Sequence, residues 1–478
     1  MALISALVLI LVLLLRPMEL WATVAQLHLL EVLSAATAIG IGMEMSRGER
    51  GSAWSPQLKW LGAFLVWGYA VSVLRLGVDA GLKAGWAVTL GPLFTVLVVL
   101  ALRTVSRLRA VAALLLVCSA FVSAVSVHQG QQPRQCIEQH EDRSSPDKDV
   151  EPIPDGRECE GKRMCENGGV AGSDYLCERV GLFGTFSTAG RVRWRGQLDD
   201  PNEVAVFIGA LLPFLAMFAA RPGRSKKDAP PVAAAEEPDH PRSVVLFIAL
   251  LLTLGLGLWA AVLTQSRGGQ LVIGTVTVGI LLRRFGWWSL VAGAVVTLPI
   301  VLLAWREGAD AESSSLERAE ILNEGLLMLK AHPLLGIGLG QFAGENPLNM
   351  AAHNSYLLVA TEAGFPGYLL WCGLVWSTVK IPLVIARRPP AGLDPSLILF
   401  AEALTVSMLG LLVGVFFLSF VYKHIFFVWL GLASALYGAV REDHPDFEVR
   451  TTGRDLAGIL ALAVVSLVAV RVVASTAR

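Results

Sequence analysis

Charge is what this chain has least of. Of its 478 residues only 16% are Asp, Glu, Lys or Arg, where a soluble chain carries about 25%. The charges present balance, 39 basic against 39 acidic, so no bulk field points to nucleic acid. Its six cysteines include no C-x-x-C pair, the spacing that most cysteine zinc sites use. No internal repeat is visible.

Long apolar runs fill the space that charge leaves. "MALISALVLILVLLL", "GPLFTVLVVLAL", "VAALLLVCSAFVSAVSV", "VVLFIALLLTLGLGLWAAVL" and "LAGILALAVVSLVAV" recur along the chain. Crossing about 30 Å of hydrocarbon takes roughly 20 apolar residues. Segments 1–15, 20–44, 58–78, 84–102, 108–127, 201–220, 243–264, 269–282, 287–304, 361–380, 396–419, 424–440 and 455–474 meet or approach that length. The fold expected is an all-α polytopic membrane protein of about 12–13 transmembrane helices. The first run lacks a basic leader region and a small-residue cleavage site, so it reads as a first span.

Basic residues orient the spans. Arg47, Arg50 and Lys59, then Arg103, Arg107 and Arg109, then Arg221, Arg224, Lys226, Lys227 and Arg242 fall in loops of one parity. Arg283, Arg284, Lys380, Arg387, Arg388, Arg441, Arg450 and Arg454 continue it. That side is expected to be cytoplasmic, leaving 128–200, 305–352 and 420–424 outside. The domain organisation expected is N-terminal spans (1–127), an external cysteine-bearing loop (128–200), spans 201–304 with a cytoplasmic linker at 221–242, an external catalytic loop (305–360) and C-terminal spans (361–478). The linker, "RPGRSKKDAPPVAAAEEPDHPR", has no core to bury. Cys136, Cys159, Cys165 and Cys177 in the external loop suggest two disulfides, in any of three pairings.

Three cationic residues stand out on the outer side. Arg267, in "LTQSRGGQ", begins a span; it either snorkels to headgroups or faces a polar cavity and binds an anion. Arg318 begins an amphipathic segment with apolar Ile321, Leu322, Leu326 and Leu329 at helical spacing, ending at Pro333. That residue either pairs with Glu317 or Glu320 or binds a ligand. The "GIGLG" after it, at 336–340, has no preceding strand, so it is a turn rather than a dinucleotide fingerprint. His353 opens "HNSYLLVATEAGFPG", and on a helix it would share one stripe with Ala360, Gly364 and Gly367. Pro366 would kink that helix. His353 to Lys380 spans roughly 42 Å at 1.5 Å per residue, which puts His353 at or beyond the outer interface. Tyr422, Lys423 and His424 read as interfacial anchors.

The pattern His, Asn, nine residues, Gly, two residues and Gly in 353–367 resembles that of the O-antigen ligase and polymerase superfamily of bacterial membrane glycan transferases. "SRGG" at 266–269, "ERAEILNEGLLMLKAHPLLGIGLGQF" at 317–342 and "RGQLDDPNEVAVFIGALLPF" at 195–214 resemble its other motifs, in the family's order. The likeness covers about residues 185–390; the four-cysteine loop departs from it.

The resemblance implies a glycan donor on an undecaprenyl diphosphate carrier and a site facing the periplasm from the bacterial inner (cytoplasmic) membrane. A ligase would pass the glycan to a sugar hydroxyl of lipid A–core; a polymerase would pass it to another carrier-linked repeat. No metal or nucleotide cofactor is expected. His353 would act as general base, with Arg267 and Arg318 on the diphosphate. Arg191, Arg193, Arg195, Asn202 and Asn354 are candidate substrate contacts, Asn202 alternatively a helix cap. Gly364, Gly367 and the four cysteines would be structural. The third reading, a flippase or transporter, needs a polar path at mid-membrane, whereas these cations gather at one face.

Overall fold

The computed structural model describes residues 1–48, 54–139, 153–169, 174–220, 244–303 and 309–475. The linker expected at 221–242 lies outside the described residues. Among the described residues seventeen α-helices run in order: α1 (Ala2–Leu15), α2 (Ala22–Ala25), α3 (Leu29–Ser46), α4 (Pro56–Leu76), α5 (Val78–Ala101), α6 (Val105–Gln131), α7 (Lys162–Glu166), α8 (Pro201–Ala219), α9 (Val244–Leu263), α10 (Arg267–Phe285), α11 (Ser289–Leu303), α12 (Ala309–Ala331), α13 (Phe342–Glu345), α14 (Ser355–Arg387), α15 (Pro395–Gly414), α16 (His424–Asp443) and α17 (Gly453–Ser475).

Among the described residues ten helices are long and apolar enough to cross a membrane, and the chain is an all-α polytopic membrane protein. The shorter apolar α1, α10 and α11 account for the other apolar segments. α8 and α16 are buried along nearly their whole length. By contrast α9 exposes Val244, Val245 and Phe247, and α17 exposes Val465, Val468 and Val472, the apolar flanks that a hydrocarbon solvent demands.

Loops alternate between two ends of this bundle. At one end Arg107 pairs with Glu44 at 2.9 Å and Lys380 with Asp455 at 2.6 Å. At the other, Arg195 donates to the Glu19 carbonyl at 2.6 Å, Arg75 bonds His332 at 3.1 Å and Asn323 donates to the Ala474 carbonyl at 3.1 Å. The second end carries all the candidate site residues.

It also carries the cysteine-bearing segment. Strands β1 (Arg134–Gln139), β2 (Ile153–Glu158) and β3 (Asp174–Arg179) form an antiparallel sheet with β1 in the centre. Two disulfides close it, Cys136–Cys165 and Cys159–Cys177, resolving the three open pairings. The sulfurs of Cys136, Cys159 and Cys165 lie within 4.8 Å of one another, but bridged sulfur is not the thiolate that binds a metal.

The expected stripe through His353, Ala360, Gly364 and Gly367 does not form. His353 precedes α14 with φ +48°, and Gly364 breaks the helix at φ +66°, ψ 178°. The break has a physical cause. The chain at 333–338 wedges against it, so Ile337 N–H bonds the Thr361 carbonyl at 3.1 Å, Gly338 N–H bonds Glu362 at 3.0 Å and Phe365 N–H bonds Pro333 at 2.7 Å. A Cβ on Gly364 would meet the Leu334 oxygen at 2.2 Å, and one on Gly336 the Glu362 oxygen at 2.4 Å. Pro366 then sits in the first turn of the resumed helix, where its missing N–H costs nothing. Gly367 lies under Trp67, whose indole N–H donates to the Ala363 carbonyl at 2.8 Å.

Candidate functional site

Three long helices begin at the site end, each with a polar cap. Asp200 Oδ1 accepts Asn202 N–H at 2.7 Å at the start of α8, with a capping box completed by Glu203. Ser266 Oγ accepts Gly269 N–H at 3.0 Å at the start of α10. Asn354 Oδ1 accepts Leu357 N–H at 2.8 Å at the start of α14. The caps take the N–H groups of Asn202 and Glu203 at α8, where Pro201 has none, of Gly269 at α10 and of Leu357 at α14, where Ser355 N–H goes to the Val415 carbonyl at 2.9 Å. The positive dipole ends favour an anion there.

Contacts tie these three starts together. A Cβ on Gly269 would meet Ala205 Cβ at 2.2 Å, so α10 and α8 touch backbone to side chain. Arg191 straddles the same pair: its Nε donates to the Thr264 carbonyl at 2.8 Å and its Nη2 to Asn202 Oδ1 at 2.9 Å. The 415–423 loop joins α10 to α14. Phe417 lies over Gly268, while Asn354 Nδ2 donates to the Phe416 carbonyl at 2.7 Å and Ser355 Oγ to the Leu418 carbonyl at 2.6 Å. Lys423 fastens that loop to α8, 3.0 Å from Glu203 and 3.3 Å from Asp199. Burial disfavours the ammonium, but the two carboxylates outweigh it and raise the lysine's pKa.

α12 lies across this end. Thr361 Oγ1 donates to the Gly325 carbonyl at 3.2 Å, and Leu322 packs with Leu357 and Val470. Arg318 sits within the helix rather than beginning it, because α12 starts at Ala309. It is half-buried, as is His353, while Arg267 is exposed. The His353 pKa is lowered, first by burial and then by the Arg318 guanidinium; the carboxylates of Asp200 and Glu317 oppose both. These four groups, from α8, α12 and the approach to α14, therefore share one field.

The other candidates make contacts within the protein. Arg193 stacks on Phe186 and donates to its carbonyl at 3.0 Å. Arg195 bonds the carbonyls of Glu19 and Gly184 at 2.6 and 2.7 Å. Asn202 is buried, spanning Arg191 and Asp200, and the cap itself is Asp200. Asn354 is buried between α14 and Phe416. Tyr422 and Lys423 are internal ties rather than interfacial anchors, since the Tyr422 hydroxyl donates to Glu362 at 2.5 Å.

Sequence reasoning missed Asp200 and Glu317 as neighbours of His353, and it missed Glu362 entirely. The signal for Glu362 was present: a carboxylate inside "LLVATEAGF", where charge is costly unless bonded.

Two comparisons bear on this geometry. No match was found among the curated proteins. Residues 248–372 match the family model described as O-antigen ligase, a stretch holding Arg267, Arg318 and His353. That match, on a polytopic helical fold, supports membership of the O-antigen ligase superfamily and, broadly, glycan transfer of the ligase or polymerase type.

Proposed function

We propose that this protein transfers a glycan from an undecaprenyl-diphosphate carrier to a sugar hydroxyl, most simply the ligation of O-antigen to lipid A–core. The observation that carries the reading is the grouping of His353 with Arg318 at one end of the bundle, beside three joined helix N-termini. That end suits a diphosphate: guanidiniums bind phosphate oxygens through paired charge-assisted hydrogen bonds, and helix starts add the positive ends of their dipoles.

In this reading Arg267 and Arg318 hold the diphosphate. A neutral ring nitrogen of His353 takes the proton of the acceptor hydroxyl. The acceptor oxygen forms a bond to the anomeric carbon as the carbon–oxygen bond to the diphosphate breaks. The electron pair leaves with undecaprenyl diphosphate, where the guanidiniums stabilise the growing charge. The donor's own leaving group supplies the driving force, so no nucleotide enters. Direct displacement inverts the anomeric centre, and the reading needs no metal. The lowered His353 pKa favours the neutral base near pH 7.

The cation-rich end, with Arg103, Arg107, Lys380, Arg387, Arg441 and Arg450, then faces the cytoplasm, and the site faces the periplasm of a bacterial inner membrane. The test is transfer by purified protein from a carrier-linked glycan, with lipid A–core and a second carrier-linked repeat offered separately. Product on lipid A–core supports the ligase. Product on the carrier alone makes the protein a polymerase, and no product with either acceptor defeats the reading.

A further inference from the structure

We propose that Glu362 is a positioning residue of the transfer site: its carboxylate ties together the segments that carry Arg318 and His353 and the loop on which the Arg267 helix rests. The inference deepens the glycan-transfer reading and depends on it for the chemistry.

Glu362 lies in α14, seven residues beyond its start at Ser355 and about 10 Å along the helix at 1.5 Å per residue. It is 1% exposed. A carboxylate so placed in a membrane helix is costly unless its oxygens are fully bonded. Its oxygens are bonded by three donors from two separate segments. Oε2 accepts Gly340 N–H at 2.9 Å and the Tyr422 hydroxyl at 2.5 Å, and Oε1 accepts Phe342 N–H at 3.0 Å. Gly340 lies in the irregular chain that leaves α12, the helix of Arg318, and Phe342 begins α13 directly after it. Three glycines there, Gly336, Gly338 and Gly340, have φ of +61°, +106° and +73°. That chain has no ladder of its own, so its N–H groups need other acceptors: Thr361 and Ser72 take those of Ile337 and Leu339, and the Glu362 carboxylate takes those of Gly340 and Phe342. Tyr422 belongs to the 415–423 loop, whose Phe416 and Phe417 contact Asn354 and Gly268. One side chain thus joins the exit of α12, the body of α14 and the loop under α10.

A tie of this kind acts on spacing. Glu362 touches no candidate reacting group, so its loss leaves Arg267, Arg318 and His353 in place chemically while loosening their separation. Catalytic geometry is steep in distance: a misplacement of about 1 Å can cost about 100-fold. The spacing is also legible in a titration. His353 is faced by Arg318 and Glu317 from α12 and by Asp200 from α8, and a retreating α12 exit weakens the cationic share of that field.

The experiment is Glu362→Gln in nanodiscs. Glutamine keeps one acceptor oxygen but turns an amide donor toward Gly340 N–H or Phe342 N–H. The expected result is a kcat lowered about 10–100-fold, a smaller change in donor KM, and an acid limb of the pH profile moved upward. Tyr422→Phe, which removes one hydroxyl donor, should move the same quantities less. Wild-type kcat and an unmoved acid limb in both variants overturn the proposal. So does a loss that tracks only a fall in melting temperature. If Glu362→Gln does not fold, Tyr422→Phe carries the same readings. If the wild type itself transfers no glycan, the functional reading fails separately. Amide exchange over 336–342 then decides the tie: faster in the variants supports it, unchanged overturns it.

Discussion

Asn354 donates its side-chain amide to the Phe416 carbonyl at 2.7 Å, one residue from the ring that covers Gly268. Residues far apart in the chain, 267 and 353, are thereby anchored to neighbouring links of one short loop. Neither anchor is itself reactive. Their effect is to bring two helix N-termini, and the side chains at them, to the same end of the bundle.

His353→Ala should lower transfer about 10²–10⁴-fold, the usual worth of general-base help, while carrier-linked donor still binds. Parallel rate and donor-binding measurements check this. Loss of both together would mean that the residue holds the site rather than reacts.

The pH profile carries a signed prediction. Because His353 has a lowered pKa, activity should fall only below about pH 6.5, the ordinary histidine value. Arg318→Gln removes a cation and should move the acid limb up. Asp200→Asn removes a carboxylate, keeps a good helix cap and should move the limb down. Rate against pH for the three proteins tests it, and shifts of the same sign would contradict the shared field.

Arg267→Lys and Arg318→Lys keep the charge but lose the two-pronged geometry for phosphate. Each should reduce kcat/KM by about 10-fold, corresponding to about 1.4 kcal/mol, in steady-state assays with carrier-linked donor. Wild-type values would show that neither guanidinium meets the diphosphate.

Gly364→Ala should destabilise the protein by about 1–3 kcal/mol, the usual cost of a forced left-handed residue, and by more where the added carbon meets the Leu334 oxygen at 2.2 Å. Gly344→Ala has open space around it and is the control. Thermal unfolding in detergent compares them.

Reduction should reach the site through Glu178. This buried carboxylate follows Cys177, accepts Ala189 and Gly190 N–H at 2.5 and 2.9 Å and so shapes the turn that presents Arg191. Cys159→Ser/Cys177→Ser should loosen that turn and raise donor KM, at an expected stability loss of about 2–5 kcal/mol. Unchanged KM at full folding would separate the disulfide from the site.

What the sequence made legible follows from the range of each signal. Apolar length is a local property, so the apolar segments fell on helices, although the one expected over 20–44 is broken between α2 and α3 at His28, φ +45°. Four cysteines in one segment pointed to two bridges, but the pairing waited on the fold: Cys136 and Cys177 are cross-strand neighbours, yet each bonds a cysteine from outside that pair, Cys165 and Cys159. The motif residues were legible as types at spacings. The ties around them were not, because Arg191 to Thr264, Tyr422 to Glu362 and Lys423 to Glu203 join positions separated by tens to hundreds of residues. The helical stripe failed because periodicity assumes an unbroken helix, and a loop from residues 333–338 intruded at Gly364.

The most direct measurement is transfer of a labelled glycan from purified undecaprenyl-diphosphate donor to lipid A–core by wild-type protein and by His353→Ala in the same membranes. The account predicts product from the wild type and at least about 100-fold less from the variant. Equal product from both would contradict it.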